Sequence, residues 1–211
     1  MSVSQAMGGS ANPELAHRLG ESYAVLENRL KPFPCGRLGH AAIEAALKGR
    51  STHALTPDEI VSAEVRVEPR AQYLMGKTEP ENGTQSMFSI AHGVAAGLLH
   101  GRVGPDQFSD NAVRDSQLQR LRRRTEVISD PQCKPGQAKI TVQTKSRGLL
   151  AADVPVQKGY AGNPLTDEDV REKFLILAEP IVGSARAQKA VEHVYQLETL
   201  EDAGEVARLC A

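Results

Sequence analysis

The sequence lacks the short motifs that identify several classes of enzyme. It contains no Walker loop, no GxGxxG turn after a strand, no HExxH motif and no GxSxG elbow. The usual nucleotide sites and zinc-protease sites are therefore excluded. Cysteine is also scarce, since Cys35, Cys133 and Cys210 are far apart and show no CxxC spacing. This spacing predicts reduced thiols and no bound metal.

Long apolar runs and a large net charge are absent too. No run approaches the ~20 apolar residues that span a bilayer, and the N-terminus has neither a basic nor an apolar leader region. We therefore expect a cytoplasmic protein without a membrane segment. The 25 basic and 26 acidic residues leave a net charge of −1, which does not favour nucleic acid as a partner. The arginine-rich stretch at 120–124 has no interleaved aromatic residues, which favours a solvated helix end over a phosphate or RNA site.

Hydrophobic periodicity predicts an α+β fold. Residues 61–68 alternate between apolar and polar side chains, as in a half-buried strand. Further strands are expected at 125–129, 139–145 and 149–156, the last two joined as a hairpin. Helical patterns cover 40–49, 88–101, 111–123 and much of the last third of the chain. Together they predict a small, mainly antiparallel sheet of about four strands packed with helices. Residues 1–29 are expected to form a flexible lead-in with a partial helix, and residues 30–209 one domain.

The stretch KPFPCGRLGH, residues 31–40, is the most unusual feature of the sequence. Its two prolines stiffen the backbone and hold Lys31 on a non-helical ledge. Arg37 and His40 follow near the start of a helix, where backbone N–H groups favour anions. The residues alone leave two interpretations open: a turn with solvated cations, or a site that binds carboxylates. Tyr73, in the irregular segment after the first strand, is either a hydrogen-bond donor to substrate or a packing residue.

Four segments in order resemble landmarks of the MmgE/PrpD family: KPFPCGRLGHAAIEAAL, LTPDEIVSAEVRV, QSMFSIAHGVAAGLLHGRV and NPLTDEDVREKF. The resemblance runs from about residue 30 to 209 and covers the α+β lid domain of the family. It implies lyase chemistry on a small polycarboxylate substrate without a cofactor. Because the resemblance does not include the large helical N-terminal domain, we expect a helical-domain partner chain or a homo-oligomer, such as a dimer, to complete the site.

The resemblance also assigns roles to individual residues. Lys31 falls on the active-site lysine of the family, Tyr73 on the tyrosine that faces the substrate, and His40 on the histidine that ends the motif. Arg37 and Gly36 are expected to contact the substrate. Gly36 departs from the pattern, since many relatives have cysteine there and the decarboxylase branch has histidine. Glycine cannot transfer protons, so this departure favours dehydration over decarboxylation.

The resemblance therefore predicts a 2-methylcitrate dehydratase-like activity, as in propionate metabolism. Two alternatives remain open at this point. One is a catalytically silent or regulatory protein that resembles the lid domain. The other is an enzyme of the cis-aconitate decarboxylase or iminodisuccinate epimerase branch.

Overall fold

The computed structural model describes residues 20, 21, 23, 25, 28–160 and 162–211. Most of the predicted N-terminal helix and lead-in lies outside these residues. The described part contains nine α-helices and four strands, in the following order: α1 His40–Thr52, β1 Ile60–Val67, α2 Pro69–Met75, α3 Gly83–Ser86, α4 Ile90–His100, α5 Asp110–Arg114, α6 Ser116–Arg122, β2 Thr125–Ser129, β3 Ala138–Thr144, β4 Leu149–Val154, α7 Asp167–Val182, α8 Ser184–Tyr195 and α9 Gly204–Leu209.

The four strands form one sheet in the order β2-β1-β3-β4. β3 pairs antiparallel with both β1 and β4, as the predicted hairpin requires. β2 runs parallel to β1, because the chain between them crosses over through five helices before it returns to the sheet. The predicted α+β architecture with a mainly antiparallel sheet is confirmed.

The helices α1 and α4 pack on one face of the sheet, and small side chains bring them close together. An added Cβ atom on Gly93 of α4 would lie 2.7 Å from the Cδ1 atom of Ile43 in α1. Alanines of both helices are fully buried beside Val65 and Ile140 of the sheet. β1 is therefore a half-buried strand, as its alternation predicts, because its apolar face contacts this helical layer.

Two local predictions are wrong. The predicted helix over 111–123 is divided at Asp115, whose carboxylate accepts hydrogen bonds from the N–H groups of Gln117 (3.0 Å) and Leu118 (2.8 Å) and so begins α6. Tyr73 lies in α2 and not in an irregular loop. Pro69 is the first residue of α2, where proline is favoured because its missing N–H would have no helical partner.

The arginine-rich stretch at 120–124 is also not uniformly solvated. Arg122 is only 2 % exposed, and its guanidinium lies 3.1 Å from the carboxylate of Glu79. It also lies 3.3 Å from Nδ1 of the buried His92, whose Nε2 lies 2.7 Å from the carbonyl oxygen of Gln107. Arg122 is therefore a buried structural residue that connects α6, α4 and the segment that contains Glu79.

The last three helices pack mainly on one another. α7 begins with a capping box in which Thr166 and Asp169 exchange hydrogen bonds. It contains no buried residue. On its apolar stripe, which consists of Val170, Phe174, Leu177 and Ile181, the side chain of Ile181 is 82 % exposed. Among the described residues, no helix has the length and apolar character needed to cross a membrane.

Candidate active site

The KPFPCG turn is held in place by backbone hydrogen bonds and by close packing. The N–H of Gly36 donates to the carbonyl oxygen of Met87 at 2.8 Å. A 3-10 turn, Arg37–Gly39, then leads into α1. An added Cβ atom on Gly36 would lie 2.8 Å from both Sδ and Cε of Met75 in α2. The turn therefore contacts α2 closely, and a larger side chain at position 36 would require Met75 to move.

The turn presents cations that have no acidic partner among the described residues. Lys31 and Arg37 are both exposed. The ammonium of Lys31 lies 3.4 Å from the carbonyl oxygen of Cys35, and the ammonium of Lys173 in α7 donates to the carbonyl oxygen of Lys31 at 2.8 Å. Within the part of the chain that the structure describes, none of these three cations forms an ion pair. Their charge is therefore available to an anionic ligand.

Tyr160 connects this turn to a distant part of the chain, which the sequence did not predict. Its hydroxyl oxygen lies 2.7 Å from the guanidinium of Arg37, and the guanidinium of Arg29 lies 4.2 Å from the centre of its ring. The segment that contains Tyr160 is anchored to α1, because the carboxylate of Glu44 accepts the N–H of Lys158 at 2.7 Å. No sequence pattern joins positions so far apart, so only the fold could reveal this contact.

His40 lies beneath the turn and is 1 % exposed. Its Nε2 lies 3.4 Å from the carbonyl oxygen of Cys35, and its ring centroid lies 5.5 Å from that of Phe33 in an edge-to-face arrangement. Its Nδ1 has no hydrogen-bond partner in the described part of the chain. Burial lowers the pKa of His40 to about 4, and the nearby charges of Lys31 and Arg37 act in the same direction. His40 is therefore neutral near pH 7, with Nε2–H as the donor to Cys35.

Cys35 is also buried, and burial raises the pKa of its thiol to about 12 despite the nearby charge of Lys31. A thiol in this state is neither a nucleophile nor a metal ligand near neutral pH. The described residues contain no group of three or more histidine, cysteine or acidic side chains that could hold a metal ion. The chemistry of the turn is therefore that of cations and hydrogen-bond donors.

The structure places four of the five predicted site residues in one short segment. They are Lys31, Gly36, Arg37 and His40. Tyr73 lies on the neighbouring α2, in the same helix as Met75, and its side chain is 84 % exposed. Its phenol is thus in solvent and accessible to a ligand.

The family profile described as MmgE/PrpD C-terminal domain matches residues 33–198. The chain belongs to the MmgE/PrpD family. The match begins just after Lys31 and contains the other predicted site residues, together with all four strands and the helices from α1 to α8. The resemblance seen in the four sequence segments is confirmed.

Three curated relatives have names that include cis-aconitate decarboxylase. The chain is 26 % identical to a cis-aconitate decarboxylase-like protein of Aspergillus oryzae, over 93 % of this chain and 43 % of the relative. It is 24 % identical to the cis-aconitate decarboxylase of Mus musculus, over 85 % of this chain and 38 % of the relative. It is 24 % identical to the cis-aconitate decarboxylase of Homo sapiens, over 82 % of this chain and 37 % of the relative. The chain thus spans about two fifths of the length of these MmgE/PrpD proteins.

Proposed function

We propose that this MmgE/PrpD domain supplies the cationic side of the active site of a lyase that acts on a small polycarboxylate. The observation that supports this proposal is the presence of two exposed cations, Lys31 and Arg37, on one stiff turn, where no described residue offers them an acidic partner. A rigid cation loses little conformational entropy when it binds a carboxylate, so such a turn favours anionic substrates.

The proposed chemistry takes place at a carbon next to a carboxylate. When the proton on that carbon is removed, negative charge develops on the carboxylate oxygens, and the ammonium of Lys31 stabilises it. Arg37 binds a second carboxylate and orients the substrate. Tyr73 donates a hydrogen bond or a proton to the leaving oxygen. His40, which is buried and neutral, would have to become exposed before it could exchange a proton with the substrate.

Two reactions fit this site, and a different observation favours each. Gly36 offers no proton-transfer group, which favours elimination of water from a 2-methylcitrate-like acid. The names of the three curated relatives favour loss of CO2 from cis-aconitate. Both reactions develop negative charge beside a carboxylate, so the same cations assist both. The substrate class, a small tricarboxylate, is therefore the part of the proposal that both observations support.

The complete site needs groups from outside this domain. Elimination or decarboxylation also requires general acid and base residues opposite Lys31, and we propose that another domain supplies them. The apolar stripe on α7 is exposed, including Ile181 and Leu177. This stripe suits a helical domain that would pack against it, supplied by the same protein, a separate chain or a second copy.

The test measures turnover in a complex of this chain with a helical MmgE/PrpD N-terminal domain. Consumption of 2-methylcitrate and of cis-aconitate is followed by NMR, which separates dehydration from decarboxylation. Lys31→Ala should lower kcat/KM by about tenfold or more, because it removes a charge-assisted contact to the reacting carboxylate. Lys134→Ala, at another exposed lysine, is the matched control.

Two outcomes would contradict the proposal. Equal kcat/KM for Lys31→Ala and Lys134→Ala would make Lys31 a solvated turn residue. Absence of turnover of either acid by a stably formed complex would favour the alternative of a silent, lid-like protein. Lys31→Arg should recover little activity, because a planar guanidinium places its charge differently from an ammonium.

A further inference from the structure

A cationic cleft lies at the opposite end of the helix pair from the KPFPCG turn. α1 and α4 run side by side in the same direction, since Ile43 faces Gly93 near their N-termini and Arg50 donates to the carbonyl oxygen of Leu99 (2.9 Å) near their C-termini. The 11 residues of α4 span roughly 15 Å at ~1.5 Å per residue. The cleft beside Leu99 is therefore separate from the candidate active site.

This cleft has a volume of about 190 Å³. Its apolar wall is formed by α4, α6 and the start of β1, and its charged groups come from three different segments. The lining residues include Ile60, Val61, Leu99 and Leu121 on the apolar side, and Asp58, Arg120, Arg124 and Lys145 on the charged side. At ~30 Å³ for each water molecule, the volume corresponds to roughly six waters. That space is sufficient for a phosphate group and a small attached group.

The side chains of the three cations in the cleft have no partner within the described ranges. Across residues 28–160 and 162–211, the side chains of Arg120, Arg124 and Lys145 form neither hydrogen bonds nor ion pairs, whereas Arg122 and Arg123 both pair with Glu79. The fold thus divides the arginine-rich stretch into a paired structural part and an unpaired part that faces a cleft. Three like charges around one cleft repel one another, and a bound anion would relieve that repulsion.

A favourable interaction with the end of α6 does not account for all three cations. Arg120 lies in the last turn of α6 and Arg124 two residues beyond its end, where a positive charge is favoured by the helix dipole. Lys145 follows β3 and its backbone N–H donates to the carbonyl oxygen of Glu59 at 2.9 Å. Lys145 belongs to no helix end, so its presence beside the arginines is better explained by a shared ligand.

We propose that this cleft binds a phosphate group, either free phosphate or the phosphate of a small monoester. The three cations and the single carboxylate of Asp58 give the cleft a net charge of +2, which matches a phosphate dianion. Arginine guanidinium groups bind phosphate oxygens through paired N–H donors, and lysine adds a point charge. The apolar wall would contact the remainder of a monoester.

Isothermal titration calorimetry on the full chain tests this site, with inorganic phosphate and glycerol phosphate as the probes and chloride to hold ionic strength constant. Both probes should bind saturably to the wild-type chain. Arg124→Gln and Lys145→Gln should each weaken binding by about tenfold or more, since each removes one of three cations. Arg114→Gln, at an exposed arginine outside the cleft, should leave binding unchanged, and so should Lys31→Ala.

Three results would overturn the proposal. The first is the absence of saturable binding of either probe by the folded wild-type chain. The second is equal binding by Arg124→Gln, Lys145→Gln and the control. The third is loss of binding in Lys31→Ala, which would place the anion at the KPFPCG turn. Circular dichroism of each variant confirms that it is folded, and Arg124→Lys, which keeps the charge, should retain more affinity than Arg124→Gln.

Discussion

Acidification of the folded chain should reveal the burial of His40 as a loss of stability. The pKa of this imidazole is about 4 in the folded chain, against a reference value of 6.5. Because the folded value is the lower one, the unfolded chain takes up the proton first as pH falls. The contribution of His40 is therefore fully present above pH 6.5 and is lost as pH falls through about 4. At about 1.4 kcal/mol per pH unit, the loss is on the order of 3 kcal/mol.

Urea unfolding followed by circular dichroism between pH 8 and pH 4 measures this effect. The wild-type chain and His40→Gln should differ in the slope of unfolding free energy against pH, since glutamine does not titrate. His92 is also buried, and burial lowers its pKa, so part of the acid sensitivity should persist in the variant. The matched control is His100→Gln, which removes an exposed imidazole from the end of α4.

The test depends on how the unfolding free energy of His40→Gln changes with pH. If it loses as much stability as the wild-type chain between pH 6.5 and 4, the imidazole is not held neutral beneath the turn, and the structural role given to His40 is wrong. If His100→Gln shows the same reduction in slope as His40→Gln, burial is not the cause of the effect.

Two further predictions concern buried groups outside the proposed chemistry. Arg122→Ala should lower the free energy of unfolding by about 3 kcal/mol, because it leaves a cavity and removes the buried partner of Glu79 and His92. The control is Arg123→Ala, which removes an exposed ion pair with the same Glu79 carboxylate. In the same urea experiment it should lower the free energy of unfolding by less than about 1 kcal/mol. A thiol reagent at pH 8 should modify the exposed Cys210 well before Cys35, as measured by mass spectrometry of peptides, and faster modification of Cys35 would show that the turn opens readily.

The predicted and observed boundaries agree closely for the strands and less well for the helices. The strand at 125–129 was predicted with its observed ends, and the other strands differ by one or two residues. The prediction of one continuous helix over 111–123 was wrong because Asp115 caps a new helix, a feature that hydrophobic periodicity does not reveal. The prediction of an irregular segment around Tyr73 was wrong because the helix there is short and polar, and its N-terminal Pro69 was not used as a helix-start signal.

The candidate site was only partly predictable for a related reason. The cations of the KPFPCG turn are neighbours in sequence, so their proximity follows from the motif itself. Lys173 and Tyr160 approach the turn from positions more than a hundred residues away. Such contacts depend on how α7 and the segment before it return to α1, and no local pattern specifies that.

The sequence by itself determined the periodic elements, the α+β class and the family, because these depend on the spacing of residue types along the chain. Only the tertiary structure decided which polar groups are buried and which are paired. Arg122 pairs with a carboxylate 43 positions earlier in the chain, while Arg124, two residues further on, lies beside Lys145 and pairs with no described residue. Burial and pairing set the charge state and the availability of a side chain, and both depend on residues that only folding brings together.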